Sequence, residues 1–430
     1  MSILIKNAEV LIDNKFVKND ILIDGGKIVE IGKPVAGRPV AASGGTPEGN
    51  KEINAEGLTV LPGFIDMHCH LRDPGYEYKE DIISGTKAAA KGGFTAVCCM
   101  PNTNPVIDNP AIIHYIKYKS EKAFAKVYPI AAITVKSEGR ELCEIGTLKE
   151  AGAVAVSDDG KPVSNAQIMR NAMQYCKGFN MPIISHCEDL TLADDGAANE
   201  GFNATISGIK GITRAAEEVM TARDIILAET LNAKVHITHV STKGSVELIR
   251  NAKKRGVRVT CDTCPHYFTG TDDLIVNYDT NAKVNPPLRE KEDVEAIKAG
   301  IADGTIDAIS TDHAPHSADE KNAEFSKAPN GISGIEVAFA LCYNLVKEKI
   351  ITLEKLSALL TDKPSEILSL EKGVLKKGGK ADLVIIKRDY KNKIDVNNFI
   401  SKGKNNPFNG TDVFAKVCYT ICGGVITFEK

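Results

Sequence analysis

The segment DMHCHLRDPG, which begins at Asp66, contains the residues whose types and spacing most directly indicate chemistry. His68 and His70 are two positions apart, so on an extended strand their side chains point to the same face. Two imidazoles on one face can chelate a metal ion. The alternative, a pair of unrelated surface histidines, fits poorly with the apolar residues before them. The segment therefore predicts part of a metal site.

Further histidines and acids follow later apolar runs. His186 ends PIISH, His239 follows His236 in KVHITHV, and Asp312 ends IDAISTD. Because His236 and His239 are three positions apart, on an extended strand they face opposite ways. We predict that His239 faces the site and that His236 packs between strand and helix. Asp312 is either a ligand or a cap of the segment that follows it.

A bridging ligand is also expected. Four histidines and an acid exceed the three protein ligands of a single catalytic zinc, so the sequence predicts two ions with a ligand between them. The candidates lie in AVSDDGKPV and are Asp158, Asp159 and Lys161. Lysine offers a carboxylate only after carbamylation, and Lys161 lies beyond the glycine. Position therefore favours the two aspartates, and both remain open.

The elements that must position these residues alternate along the chain as short apolar runs and helical stretches. This alternation predicts an α/β fold, a (β/α)8 barrel of the TIM type, whose catalytic face lies at the carboxyl ends of the strands. An open doubly wound sheet is less favoured because no glycine-rich phosphate turn begins the first unit. Strand patterns at both chain ends predict an accessory β domain from residues 1–57 and 370–430 around a barrel over 58–369. The segment from Val35 to Asn50 is predicted to be a surface loop.

Composition excludes several classes of protein. A net charge of -3 over 430 residues, with 43% hydrophobic and 25% charged residues, is typical of a globular protein and argues against an electrostatic nucleic-acid binder. The first twenty residues contain neither a signal-peptide core nor a membrane-spanning run. Eleven cysteines without a secretory signal favour reduced thiols and a cytoplasmic location. Cys261 and Cys264 form a CxxC without a second metal-binding pair, so they are interpreted as part of a strand end.

Four motifs together resemble one family. They are HxHxRxPG from His68, MPN from Met100, SDDG from Ser157 and TDHAPHxxxxK from Thr311. The set is similar to dihydroorotases of the bacterial type I class, within the amidohydrolase superfamily, and covers nearly the whole chain. The resemblance implies a hydrolase that interconverts N-carbamoyl-L-aspartate and L-dihydroorotate in pyrimidine biosynthesis.

The same resemblance implies a ligand set for two zinc ions per subunit. By it, the first zinc is bound by His68, His70 and Asp312, and the second by His186 and His239. Asp159 and a hydroxide would bridge the ions, and Asp312 would move the proton from the hydroxide to the leaving ring nitrogen.

Substrate contacts are also implied by the resemblance. Arg72 and Asn102 correspond to a pair that receives the substrate carboxylate, His316 to a further contact and Asn285 to a residue that reads the ring. The family usually has Phe-Gly after Ala-Pro in a later loop, where this chain has Asn330 and Gly331. Backbone contacts there are expected to persist, with a changed wall.

Two rival functions are weighed against this one. Dihydropyrimidinases, hydantoinases and allantoinases share the barrel and metals, but resemble a version bridged by a carbamylated lysine. A catalytically inactive homologue would lose metal ligands, and none is missing here. A small-molecule substrate is expected, without nucleic acid or membrane, while a homodimer and an association with another pyrimidine enzyme stay open. His266 is near enough to the predicted mouth to contact a ligand, and His114 has no predicted role.

Overall fold

A computed structural model describes residues 2–33 and 50–430 of the chain. The predicted surface loop from Val35 lies outside these residues except for its last position. The first strands form hairpins because alternating apolar residues are interrupted by the turns at Asp13 and Gly25. These strands are β1 (Ile3–Ile12), β2 (Lys15–Asp24), β3 (Lys27–Gly32), β4 (Lys51–Asn54) and β5 (Thr59–Pro62).

Eight short parallel strands follow and form a closed barrel. Parallel bridges between Val156 and Ile183 and between Cys69 and His313 join the two four-stranded halves. Two further short strands, β11 and β12, form a separate ribbon after the fifth barrel strand. The ten strands are β6 (Phe64–Cys69), β7 (Phe94–Cys99), β8 (Lys126–Ala131), β9 (Ala155–Val156), β10 (Ile184–Ser185), β11 (Ala198–Asn199), β12 (Gly211–Ile212), β13 (Val235–Ile237), β14 (Val259–Thr263) and β15 (Ala308–Ile309).

Helices separate successive barrel strands. The first begins at a capping box, in which Asp81 accepts a hydrogen bond from the backbone N–H of Ser84 and Ser84 Oγ accepts one from the backbone N–H of Asp81. The helices are α1 (Ile82–Lys91), α2 (Pro110–Ser120), α3 (Ile145–Ala151), α4 (Ala166–Phe179), α5 (Leu190–Ala193), α6 (Phe202–Ser207), α7 (Ala215–Leu231), α8 (Lys243–Lys254), α9 (Pro265–Thr269), α10 (Lys291–Asp303), α11 (Ala318–Lys321), α12 (Ala338–Lys347), α13 (Leu353–Leu360) and α14 (Asp362–Leu368). Within the described residues, none of them has the length and apolar character needed to cross a bilayer.

The barrel encloses an apolar cluster below its polar mouth. Met67, Cys98, Ile130 and Ile184 come from four different strands and pack together with Leu368 of α14. A larger apolar layer fills the space between the strands and the surrounding helices. Because the barrel is filled with side chains, polar groups that face inward can meet in open space only near an end.

Both chain ends contribute to one accessory sheet. Its C-terminal strands are β16 (Leu383–Lys393), β17 (Asp412–Cys422) and β18 (Val425–Glu429), and β5 pairs with β16 to join them to the N-terminal strands. The sheet order is β18-β17-β16-β5-β1-β2-β3, with β4 paired to β1. The closed barrel and this sheet confirm the predicted fold class. β5 lies inside the range 58–369 that the sequence predicts for the barrel.

Candidate metal and substrate site

Most of the predicted site residues surround one cavity of about 140 Å³ at the carboxyl ends of the barrel strands. His68 is buried beside it within β6, and His316 lies against Arg72 at its edge. The residues that line it include His70, Arg72, Asn102, Asp159, His186, His239, Asn285, Asp312, Asn330 and Gly331. The tertiary structure therefore brings together side chains from strands that are far apart in sequence.

Asp159 occupies the centre of the histidine cluster. Its Oδ1 lies 3.4 Å from Nε2 of His68, 3.7 Å from Nδ1 of His186 and 3.6 Å from Nε2 of His239. Its Oδ2 lies 3.6 Å from Nε2 of His70. One carboxylate thus faces all four imidazoles, which is the position a bridging ligand requires.

Asp312 lies on the side of the cluster nearest to β6. Its Oδ1 is 3.1 Å from Nε2 of His70 and 3.4 Å from Nε2 of His68. Burial opposes the charged form of this carboxyl, but the two histidines outweigh burial and hold its pKa below the ordinary value. Burial also disfavours a charged His68, yet the carboxylates of Asp159 and Asp312 raise its pKa to about 9. The cluster therefore holds carboxylates in their anionic form.

The donor set fits metal ions. Two groups, one of His68, His70 and Asp159 and one of Asp159, His186 and His239, each place their ligand atoms within 4.8 Å of one another. Nε2 of His68 and Oδ1 of Asp159 are buried without a hydrogen-bond partner among the described residues. Unpaired buried polar atoms are costly unless an ion or ligand satisfies them. Imidazole and carboxylate donors suit zinc and other divalent transition metals.

The structure separates the three candidates for the bridge. The Asp158 carboxylate accepts hydrogen bonds from the backbone N–H groups of Ile133 and Thr134, at 2.8 and 3.1 Å. It is thereby committed to the neighbouring strand end. Lys161 is exposed. Of the three, Asp159 is the one whose side chain reaches the histidines.

Asn102 supports the cluster on its other side. Its Oδ1 accepts a hydrogen bond from Nδ1 of His70 at 2.9 Å, and its Nδ2 donates to Oδ2 of Asp159 at 3.3 Å. The bond to His70 leaves Nε2 of that ring free to face the metal position. The Asn102 amide thus orients two of the candidate ligands as well as lining the cavity.

Arg72 brings positive charge to the cavity wall. Its Nη2 lies 3.2 Å from Nε2 of His316, and its Nε donates to the carbonyl of Pro315 at 3.2 Å. Nε2 of His316 also lies 2.9 Å from the carbonyl of Asn330. Burial and the nearby Arg72, Lys79 and other cations lower the pKa of His316 to about 3, so this ring is neutral. A guanidinium beside a neutral imidazole can receive an anionic ligand.

The loop after β15 is shaped by Gly331. Its φ of +146° is in the region that favours glycine, and a Cβ there would lie 2.6 Å from the carbonyl oxygen of Ala314. A side chain would therefore push this loop away from the cavity. Asn330, the residue before it, is exposed, so the position where the family usually has Phe carries a polar side chain at the rim.

The prediction that His236 packs between strand and helix is wrong. His236 Nε2 and the Thr238 hydroxyl both hydrogen-bond to Asp262, at 2.9 and 3.1 Å, so the two side chains share one face of β13 and its extension. Thr238 Oγ1 in turn lies 2.9 Å from Nδ1 of His68. His236 therefore pairs with a neighbouring strand rather than packing between strand and helix.

His239 reaches the site by a different route from the predicted alternation. Its φ of 42° places it in the left-handed region, which ends the extended strand. The Asp262 carboxylate accepts a hydrogen bond of 2.7 Å from its backbone N–H. This local turn directs the His239 ring toward His186, with Nε2 and Nδ1 2.9 Å apart.

Two acids that contact the candidate ligands were not predicted from the sequence. Glu188 accepts a hydrogen bond from Nε2 of His186 at 3.2 Å, and Asp262 holds Thr238 and His239. Glu188 stands two positions after His186 in HCED, which is a signal that could have been followed. Asp262 lies in the seventh barrel strand, which supplies no predicted ligand, and nothing in its local sequence identifies its partners.

Comparison with known proteins shows that the chain is similar to dihydroorotases. Residues 57–245 match the family model described as "Dihydro-orotase-like". A protein of Geotalea daltonii named dihydroorotase is 51% identical, and the match covers 100% of both chains. A dihydroorotase of Ruminiclostridium cellulolyticum is 52% identical, with 100% of this chain and 99% of the relative covered.

Solved structures share the fold at lower identity. The L-hydantoinase (dihydropyrimidinase) of Arthrobacter aurescens superposes with a TM-score of 0.88 at 24% identity, covering 100% of this chain and 96% of that chain. The dihydropyrimidinase of Brevibacillus agri gives a TM-score of 0.85 at 23% identity, covering 100% and 95%. These similarities support the barrel with its accessory sheet.

Proposed function

The chain belongs to the dihydroorotase family, and from that premise we propose that it interconverts N-carbamoyl-L-aspartate and L-dihydroorotate in pyrimidine biosynthesis as a member of the bacterial type I class. The observation that carries the proposal is the position of Asp159 among four histidines, with Arg72 on the wall of the same cavity. This arrangement combines a metal-dependent hydrolytic centre with a receptor for an anionic substrate.

Two zinc ions form part of the proposal. His68, His70 and Asp312 would hold one, His186 and His239 the other, and Asp159 would lie between them. Zinc bound there would supply a Lewis acid that polarises the ring amide and lowers the pKa of water. The hydrogen-bond partners of the rings support these assignments. Thr238 contacts one nitrogen of His68, Asn102 one of His70, and Glu188 one of His186. In each ring the other nitrogen is directed at the centre of the cluster.

Asp312 would carry the proton. Its carboxylate is anionic and contacts His68 and His70, so it can accept a proton from the attacking water. The same group would then deliver that proton to the leaving ring nitrogen. In the reverse direction, it would remove the proton from the carbamoyl nitrogen as the ring closes.

Arg72 and its neighbours would select the substrate. A planar guanidinium can receive a carboxylate through two hydrogen bonds; His316 contacts it, and Asn102 lines the same cavity. Asn285, which lines the same cavity, would contact the ring, while Asn330 and Gly331 would offer backbone groups. Orientation by these residues would place the ring amide over Asp159 and Asp312.

A direct assay tests this function. Purified protein should contain about two zinc ions per chain and should hydrolyse L-dihydroorotate faster than dihydrouracil, hydantoin or allantoin. Preference for an uncharged ring would favour the dihydropyrimidinase or hydantoinase alternative. Metal removal with a chelator should abolish turnover, and zinc should restore it.

Other elements of the proposal have separate tests. A cytoplasmic location, a homodimer and an association with another pyrimidine enzyme are parts of it. So are two domains with the predicted limits 1–57 with 370–430 and 58–369, except that β5 (Thr59–Pro62) pairs with the accessory sheet. All eleven cysteines are described and unpaired, which supports a reducing location. Sedimentation of the purified chain tests the dimer.

A further inference from the structure

Glu188 connects a candidate metal ligand with a candidate substrate contact. Its Oε2 lies 3.2 Å from Nε2 of His186, and Nδ2 of Asn285 lies 3.1 and 3.0 Å from its two oxygens. Glu188 is buried, and its carboxylate has three contacts from these two donors. Glu188 therefore connects two residues that line the cavity, His186 and Asn285.

The chemistry of this contact fixes the orientation of the Asn285 amide. Both oxygens of Glu188 lie within hydrogen-bond distance of Nδ2 of Asn285, so the amide nitrogen faces Glu188 and the amide oxygen is directed away from it. Oδ1 of Asn285 accepts no hydrogen bond from residues 2–33 or 50–430. Asn285 therefore offers the cavity an acceptor.

Building on the proposed function, we infer that Glu188 is a positioning residue that makes Asn285 a hydrogen-bond acceptor for a ring N–H of the substrate. Asn285 lines the same cavity as Arg72 and Asp312, so it can contact a ring held between them. A cyclic substrate with a free N–H is then favoured over one with a methyl group on that nitrogen. Arg72 would bind the substrate carboxylate, and Asn285 would bind this ring N–H.

Two variants test the inference: one replaces the carboxylate at position 188 with an amide, and the other exchanges the carboxylate and the amide group between positions 188 and 285. In Glu188→Gln, the new amide keeps its oxygen toward His186 and places its nitrogen where Oε1 now lies 3.1 Å from Nδ2 of Asn285. Two amide nitrogens then face each other, so Asn285 is no longer held with its oxygen toward the cavity. In the double variant E188Q/N285D, the introduced carboxylate accepts from the glutamine amide and again offers an oxygen to the cavity. Acceptor character is thus lost in the first variant and restored in the second.

The measurement is the binding of orotate, an unsaturated ring analogue with two ring N–H groups, and of its N1-methyl and N3-methyl derivatives. Calorimetric dissociation constants are compared as ratios, because both ligands in a ratio carry the same carboxylate and the effect of the charge added by N285D cancels. Loss of one well-placed hydrogen bond corresponds to about a tenfold weaker binding. Zinc content is measured for every sample.

For the full-length wild-type chain we expect one methylated derivative to bind at least about tenfold more weakly than orotate. Glu188→Gln should reduce this ratio to below about threefold with zinc retained, and E188Q/N285D should restore it. Asp189→Asn is the matched control: it removes the adjacent, half-buried carboxylate while keeping a good helix cap, and should leave the ratio unchanged.

Two results would overturn the inference. One is a wild-type ratio near one for both derivatives, and the other is an unchanged ratio in folded, zinc-loaded Glu188→Gln. If that variant does not fold, Asn285→Ala replaces it, since the half-buried Asn285 can be truncated with little loss of core packing, and an unchanged ratio there is equally decisive. Failure of the wild type to hydrolyse dihydroorotate would instead contradict the proposed function, so the two failures are distinguishable.

Discussion

The carboxylate of Asp262 lies 2.7 Å from the backbone nitrogen of His239 and accepts its hydrogen bond. The contact occurs where the backbone of His239 turns into the left-handed region, at φ 42°. Such a conformation is unfavourable for a non-glycine residue unless its surroundings hold it. Asp262 also accepts a hydrogen bond from the hydroxyl group of Thr238, and the same hydroxyl contacts His68. One carboxylate therefore positions a histidine of each candidate metal.

Replacing Thr238 with valine should weaken metal binding. The change removes the hydroxyl that accepts from Nδ1 of His68 and donates to Asp262, so the ring loses its orientation. Loss of such a contact costs about 10–100-fold in metal affinity. Zinc competition against a chelator measures this. Thr238→Ser should restore most of the affinity; equal affinity in Thr238→Val and wild type would show that the hydroxyl has no such effect.

Asp312→Asn should nearly abolish turnover while the fold and at least one metal remain. The amide can still offer an oxygen to a metal but cannot accept the proton from water. Removal of a general base lowers rates by about 10²–10⁴-fold. Rate and metal content are measured on the same sample, with circular dichroism for the fold. Retention of most of the wild-type kcat would exclude Asp312 as the proton carrier.

Arg72→Lys should reduce activity on dihydroorotate far more than on dihydrouracil. Lysine keeps the positive charge but cannot form the two-pronged contact with a carboxylate, and dihydrouracil has no carboxylate to lose. The ratio of kcat/KM for the two substrates is the measured quantity. An equal loss on both would show that Arg72 does not bind the carboxylate.

The bridge should depend on Asp159 and not on Lys161. Asp159→Ala removes the carboxylate that faces all four histidines and should lose the second metal and nearly all turnover. Lys161→Ala should keep two metals and activity, and metal loading should not respond to bicarbonate, because an aspartate is anionic without modification. Metal analysis after reconstitution with and without bicarbonate measures both effects.

Asp158→Ala serves as the control for this pair. It leaves the backbone N–H groups of Ile133 and Thr134 without their acceptor, so it should lower the free energy of unfolding by about 1–3 kcal/mol per group while both metals bind. Loss of metals in Lys161→Ala, with rescue by a short-chain carboxylic acid, would move the bridge to the lysine.

Metal uptake by the metal-free protein should strengthen as pH rises toward about 9. Burial disfavours the His68 imidazolium, but Asp159 and Asp312 raise its pKa to about 9, so below that pH a metal must displace a proton from this ring. Apparent affinity should therefore rise by about tenfold per pH unit up to that point and then level. Chelator competition from about pH 7 to 10 tests this; a flat profile below about pH 9 contradicts it.

The sequence by itself determined the barrel and the residue types of the candidate centre. The i, i+2 spacing of His68 and His70 and the alternation of strands with helices are local signals, so they can be read without knowing which strands are neighbours. The position of His186 and Asp312 just after apolar runs similarly placed them at one end of a barrel. The fold class is confirmed by the closed strands and the accessory sheet.

The tertiary structure decided what depends on contacts between distant residues. Asp158 and Asp159 are adjacent and chemically identical, and their contacts separate their roles: Asp158 accepts hydrogen bonds from Ile133 and Thr134, whereas Asp159 faces the histidines. The direction of His239 depends on a left-handed turn held by Asp262, and the orientation of Asn285 depends on Glu188. Local spacing specifies which side of a strand a residue occupies, but a hydrogen bond from another strand can turn the chain or an amide, and that partner becomes known only when the barrel closes.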